Sequence, residues 1–275
     1  MRRKPLMLGS FLVLAVSLAV AADTAPARPK LSAAEIVDKS VAASGGLQAW
    51  RAVQSITMKG KMEAGGNQRP TLPVPGAKAG RQMPAKRPLE QAQLPFTMEL
   101  KRPKKMRLEL EFNGQTAIQV FDGTNGWKLR PFLNRHEVEP YTPDEMKATA
   151  LQSELDGPLV DYAKKGTKVE VEGLEKVRGD DAYKLKLTFS NGKEQRVWID
   201  AKTFLETKIE GTPRRLDGKF HPVATYLLDY QSVNGLMVAH TLETAVDGVQ
   251  QSEKIHIESV VVNPKLDDAL FAKLQ

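Results

Sequence analysis

The sequence predicts a mainly β protein: an incomplete antiparallel β-barrel, or half-barrel, with short α-helices covering its concave face. Three observations predict it. From residue 94 onward apolar and polar residues alternate with period two, which marks strands with one buried and one wet face. Asx-Gly pairs punctuate these runs, and such pairs suit hairpin turns whose central residues need positive φ. Only three or four short helical segments are available to cover the dry face of a sheet of roughly ten strands. Such a sheet either closes partly into a barrel or is plugged by its helices. In both cases its concave side is apolar and imperfectly filled.

The elements follow in chain order. Arg2, Arg3 and Lys4 precede an apolar run, Leu6 to Val20, that ends in Ala19-Val20-Ala21-Ala22. Positive start, short apolar centre and small-residue end predict a cleavable signal peptide over residues 1–22. An uncleaved anchor is the alternative, although the run is short for a span of about 20 residues. The rest, residues 23–275, is read as a single domain. Residues 23–30 read as a leader. Ser32 with Glu35 three positions later forms a capping box. Ile36, Val37, Ser40 and Val41 then give a helix an apolar stripe, and Gly45-Gly46 ends it. Leu47, Trp50 and Val53 suggest one further short turn.

Residues 64–93 hold five prolines, four glycines, five basic residues and one acid, with no apolar period. The segment reads as a flexible insertion between the first two strands. It is either a solvated loop or a basic arm for a membrane or partner. Alternation resumes in Arg107–Phe112 and Tyr183–Phe189, and again around Ile255 and Ile257. Asn113-Gly114, Asp122-Gly123, Asn191-Gly192, Asp217-Gly218, Asn234-Gly235 and Asp247-Gly248 place the turns of a meander. Thr142-Pro143-Asp144-Glu145 starts a helix to about Gln152, with a capping hydroxyl, proline at the first position and acids near the dipole's positive end. A second short helix, carrying Leu159, Val160 and Tyr162, is expected after Asp156-Gly157-Pro158 and ends at Gly166. Asp267–Phe271 closes the chain in a turn.

Composition narrows the chemistry. The 275 residues include no cysteine. That removes thiol nucleophiles, thiolate metal sites and a lipidated cysteine, and leaves an exported fold to be held by its core alone. The formal charge is +7. Loss of the three leading cations leaves 37 basic against 33 acidic residues, a net of +4. That is enough for solubility and weak attraction to anionic surfaces. His136, His221, His240 and His256 lack metal-ligand spacing. His240 shares a face with Val238 and Leu242, as a core or a cavity residue. Asp180-Asp181 and Asp267-Asp268 stand at turns, and no serine-hydrolase elbow, zinc-protease or phosphate-loop motif is present. No catalytic residue, metal or cofactor is therefore expected. The tract Lys101-Arg102-Pro103-Lys104-Lys105-Met106-Arg107 is too narrow for a nucleic-acid footprint and reads as a hairpin turn with exposed charges. Met58, Met62, Met98, Met106, Met146 and Met237 are either gap-filling core or an adaptable apolar surface.

Leu100-Lys101-Arg102-Pro103, then Phe121-Asp122-Gly123-Thr124-Asn125-Gly126-Trp127, then Pro131-Phe132, resemble the LolA-type outer-membrane lipoprotein-sorting family. Gly45-Gly46 with Trp50, the run Asp156–Tyr162, and Asn263-Pro264 to Phe271 resemble a longer branch of it. The resemblance implies a half-barrel whose helices close an apolar cavity. It implies a soluble periplasmic monomer that carries acylated lipoprotein or lipid, works with inner- or outer-membrane receptor proteins, and is not an enzyme. By position, Arg102 would be the latch that bonds lid carbonyls, a role suited to a guanidinium's five donors. Met58, Met98, Leu108, Leu110, Trp127, Met146, Leu159 and Tyr162 would line the cavity or lid. The alternative is an envelope sensor or scaffold of the same fold that binds a partner protein. The basic insertion and a weaker match in the second half depart from the family pattern and leave the cargo open.

Overall fold

Two local signals set the first helix. Ser32 accepts from the Glu35 amide while the Glu35 carboxylate accepts from the Ser32 amide, so the predicted capping box is formed. The computed structural model describes residues 31–65, 91–131, 134–216 and 218–274. The predicted signal peptide and leader, residues 66–90 of the insertion, Phe132 and Asp217 lie outside the described residues. Helix α1 (Ala33–Ala43) buries Ile36, Val37 and Ser40. Gly45 and Gly46 adopt positive φ beyond it. The expected turn after them is a second helix, α2 (Leu47–Ala52).

Among the described residues thirteen strands, not ten, form one antiparallel sheet. They are β1 (Ser55–Gly65), β2 (Gln91–Lys101), β3 (Lys105–Phe112), β4 (Gln115–Phe121), β5 (Gly126–Arg130) and β6 (Arg135–Pro140). After a helical crossover come β7 (Lys168–Val177), β8 (Asp180–Thr188), β9 (Glu194–Asp200), β10 (Glu206–Leu216), β11 (Lys219–Val233), β12 (Leu236–Val246) and β13 (Glu253–Val262). The spatial order is β6-β5-β4-β3-β2-β1-β13-β12-β11-β10-β9-β8-β7. Two meanders are thus joined where β1 pairs with β13, at the middle of the sheet. The edges are β6 and β7, which follow one another in the chain. The sheet is an incomplete barrel, and the segment joining its two edges carries α3 (Pro143–Gln152).

The insertion begins later than expected, because the β1–β2 ladder continues through Ala64–Ala92 to Gly65–Gln91. Asn113-Gly114 and Asn234-Gly235 take positive φ at both positions, as a type I′ turn requires. Edge strand β7 carries charges along most of its length and a bulge between Val171 and Gly173. Both features hinder pairing with another sheet.

Helix α3 starts as predicted, with Thr142 capping, Glu145 completing the box and Pro143 at the first position. The second helix expected after Pro158 does not form. Residues 155–166 make consecutive turns instead. Asp161, inside the expected helix, takes positive φ (53°), which interrupts a helical ladder. The chain ends in a 3-10 turn, Asp268–Phe271, capped by Asp267.

Candidate functional site

Pairing register separates the two faces of the β1–β6 half. Leu108 stands opposite Met98, and Met98 opposite Met58. One step along, Phe121, Met106, Leu100 and Ile56 form a parallel row. Directly paired residues share a face, so these side chains build one inner wall. Phe96, Leu108 and Ile257 form one packed cluster of that wall, with Leu110, Met62 and Ile255 against it. Ile56, Leu100, Met106, Phe121 and Leu236 form another, closed by Trp50 of α2 and Met146 and Ala150 of α3. Met58 and Met98 belong to both clusters. The structure therefore brings together Met58, Met98, Leu108, Leu110 and Met146.

Trp127 is not among them. It pairs with Val120, which pairs with Arg107, which pairs with Glu99. That row is the outer face. The resemblance implies Trp127 as cavity or lid lining; the structure instead puts it half-buried on the outer face. The outer face here is itself covered: Val120 is fully buried, and Arg107 donates to the Leu270 carbonyl of the terminal turn at 3.1 Å. Leu159 lies in the turns after α3 and is buried, while Tyr162 is only half-buried. His240 is buried on the inner side, its Nδ1 3.0 Å from the Val238 carbonyl.

Tyr141, between β6 and α3, is part of the inner core. Its ring lies flat on Gly126, where a Cβ would stand within van der Waals overlap of the ring. A glycine is therefore required at the base of β5 for α3 to approach the sheet.

The segment joining the edges is fastened at both ends by charge. Lys128, almost fully buried on β5, donates to both oxygens of Glu145 at 2.5 Å, at the start of α3. Burial opposes ionisation of Glu145, but the bonds from Lys128 and Thr142 outweigh it and hold its carboxyl below the ordinary value. Beyond α3, Asp156 accepts from Arg102 at 2.9 Å and Lys165 at 2.8 Å. Its carboxyl is nearly buried, which alone would favour the neutral form. The hydrogen bonds from Lys165 and Arg102 prevail and keep it ionised below the usual range. Arg102 also donates from Nε to the Val53 carbonyl (2.7 Å) and from Nη2 to that of Trp50 (3.1 Å). These are carbonyls at the end of α2, where intrahelical partners run out. A second fork runs from Arg51 on α2 to Asp161, with Nε–Oδ2 at 2.8 Å and Nη2–Oδ1 at 2.5 Å.

The basic tract is thus not a row of free charges. Lys101 and Lys105 both meet Asp268, Lys104 meets Glu154, and Arg107 meets Glu109. Asp268 and Glu154 lie far along the sequence from their lysines and carry no local signature, so sequence reasoning missed them.

A groove of about 770 Å³ opens where the Arg102 turn, the end of α3 and the β8–β9 hairpin meet. Leu151, Leu155, Pro158 and Phe189 give it apolar walls, and Arg102, Asp156 and Lys165 line it too. It does not coincide with the methionine wall, which lies packed beneath α2 and α3. Among the described residues no group of three or more histidine or acidic side chains is placed to hold a metal.

No family model and no curated protein sequence matches the chain. Solved structures do. A LolA superfamily protein from Nitrosomonas europaea aligns with a TM-score of 0.54 at 11% identity, covering 89% of this chain and 99% of its own. A DUF1329 family protein from Desulfovibrio piger gives 0.54 at 15% identity over 87% and 97%. An outer-membrane lipoprotein-sorting protein domain from Vibrio parahaemolyticus gives 0.51 at 15% identity over 87% and 95%. The chain has a LolA-like fold, as its sequence resemblance implied.

Proposed function

We propose that the protein is a soluble periplasmic carrier that shelters acyl chains of lipoproteins or lipids between the inner wall and the α3 segment. One observation supports this above the others. An apolar, methionine-rich wall is closed by a segment fastened mainly through ion pairs. Of α3 only Thr149 is buried, and Leu151 points half-exposed away from the core. Each pair has one partner open to solvent, Glu145 in one and Arg102 in the other, so water can take the place of a lost partner there. Lifting α3 itself away therefore opens the wall without pulling a fully buried apolar helix face out of the core. Each guest methylene moved from water to the wall is worth about 0.8 kcal/mol. Methionine side chains can reshape to accept it. The lipoprotein-sorting description of the Vibrio neighbour agrees with this reading.

In this role Arg102 is the latch, joining the α2 carbonyls to Asp156. The test is organic extraction of the purified protein followed by lipid mass spectrometry, for the parent and for Arg102→Leu. Co-purifying acyl species are expected in the parent, with an altered load in the variant. Asp156→Asn, which removes charge but little volume, should move the load the same way. An empty parent that instead captures a protein partner tightly would replace the carrier reading with a sensor. Unchanged loading in both variants would remove Arg102 from the mechanism.

A further inference from the structure

The charges lining the groove do not balance. Five cations line it, Arg102, Lys104, Lys147, Lys165 and Lys193, against two carboxylates, Glu154 and Asp156. Asp156 is shared by Arg102 and Lys165, and Glu154 by Lys104 and Lys165. Those three cations already exceed their two partners. Among the described residues Lys147 has only Asp144, 3.8 Å away and almost wholly in solvent, as an ion-pair partner. Lys193 has no ion pair among the described residues. The two lysines reach the groove from different elements, Lys147 from α3 and Lys193 from the β8–β9 hairpin. Leu151, Leu155, Pro158 and Phe189 give the same groove apolar surface, and Leu151 is 49% exposed.

Apolar walls topped by surplus positive charge complement a particular ligand. We infer that the groove receives an amphiphile with an anionic polar end, its chain against Leu151, Leu155 and Phe189 and its negative group between Lys147 and Lys193. The volume suits a ligand of that size. This rests on the carrier reading and adds a selection rule to it: anionic amphiphiles are taken in preference to neutral ones of equal chain length.

The test titrates the full mature chain with a dansyl-labelled undecanoic acid and, separately, its methyl ester, below their aggregation limits at pH 8 and low salt. The acid is expected to bind about tenfold more tightly than the ester, a gain within reach of two lysines near one charge. The double variant Lys147→Gln/Lys193→Gln should erase that preference and leave ester binding unchanged. Leu151→Ser should weaken both probes alike. Equal binding of acid and ester by the parent would overturn the selection rule while sparing the carrier reading. A preference that survives the double variant would overturn it too, since the charge would then be sensed elsewhere. Displacement of the acid by acetate at constant ionic strength would reveal a plain anion site, and would also overturn it. Binding of neither probe would overturn the inference, while the acyl load found by extraction decides the carrier reading separately.

Discussion

The two halves of the sheet are built from the same alternating strands, yet their inner faces differ. In the β7–β9 part the inner positions are Leu185, Leu187, Val197 and Ile199, each fully buried. Helix α1 approaches β7, and Lys39 lies over the Phe204 ring, which stacks on Tyr183. In the β1–β5 part the inner wall mixes buried Leu100, Met106 and Phe121 with half-buried Met58, Met98 and Leu110. Its cover is α3, tied by Lys128–Glu145, Arg102–Asp156 and Arg51–Asp161. Branched side chains at full burial make a rigid wall whose cover cannot leave without opening a void. Flexible side chains under an ion-paired cover make a wall that can be uncovered and refilled. On the carrier reading, one half is scaffold and the other is the half that moves.

That contrast can be broken most directly by truncating each wall. Ile199→Ala should destabilise the protein by about 3–4 kcal/mol, because a fully buried branched residue leaves a cavity its neighbours cannot fill. Met98→Ala should cost about 2 kcal/mol or less, since Met98 is half-buried among adaptable neighbours. Urea unfolding of the two variants measures both. Equal losses would mean that the methionine wall is as rigid as the scaffold, and the division into halves would be lost.

Much of this architecture was legible in the sequence, for local reasons. Ser32 with Glu35, and Thr142 with Pro143 and Glu145, are complete capping signals within four residues. Asn113-Gly114 and Asn234-Gly235 fix their hairpins without help from the rest of the chain. The turn at Arg178-Gly179 escaped notice: it has positive φ at both positions but no Asx residue to advertise it. The faces of β3 to β5 were legible only as alternation. Alternation says that two faces exist, not which is inner, and Trp127 fell on the other one because the terminal turn covers the outer side. The clasp was half legible. Arg102 stood out by resemblance, whereas Asp156 and Asp161 meet their arginines across 54 and 110 residues of chain.

The scaffold half contains one group that should weaken it near neutrality. Glu206 stands opposite Ile199 on the inner side, next to Tyr230, whose hydroxyl donates to the Glu206 carbonyl at 2.8 Å. Burial pushes its carboxyl up to about 7. A raised folded value means that the folded state holds the proton more tightly than the unfolded chain does. The stability this supplies is full below the ordinary glutamate value near 4.5 and is lost as pH rises through about 7. The loss between pH 5 and pH 8 should be no more than about 3 kcal/mol. Glu206→Gln should flatten the pH dependence across that window and raise stability at pH 8. A parent curve that is already flat there would show that Glu206 is solvated, and the scaffold half would have no such weak point.

The smallest expected effect sharpens the other half. Arg51 and Asp161 form a two-bond fork between α2 and the turns after α3, with side chains 35% and 21% exposed. The Arg51 hydrogen bond holds the Asp161 carboxyl far below its ordinary value. Exposure screens such a pair, so its contribution to global stability should be small. Arg51→Gln, Asp161→Asn and the double variant form a cycle that isolates it. Because the fork joins the cover to the wall, its loss should act locally. Backbone amides of residues 143–167 should exchange with solvent severalfold faster, while those of β8 and β9 hold their protection. Faster exchange in β8 and β9 as well would mean that the cover and the scaffold unfold as one unit. An ion-paired cover can serve a carrier only if it opens while the scaffold stays folded, so that result would remove the physical basis for treating α3 as a lid.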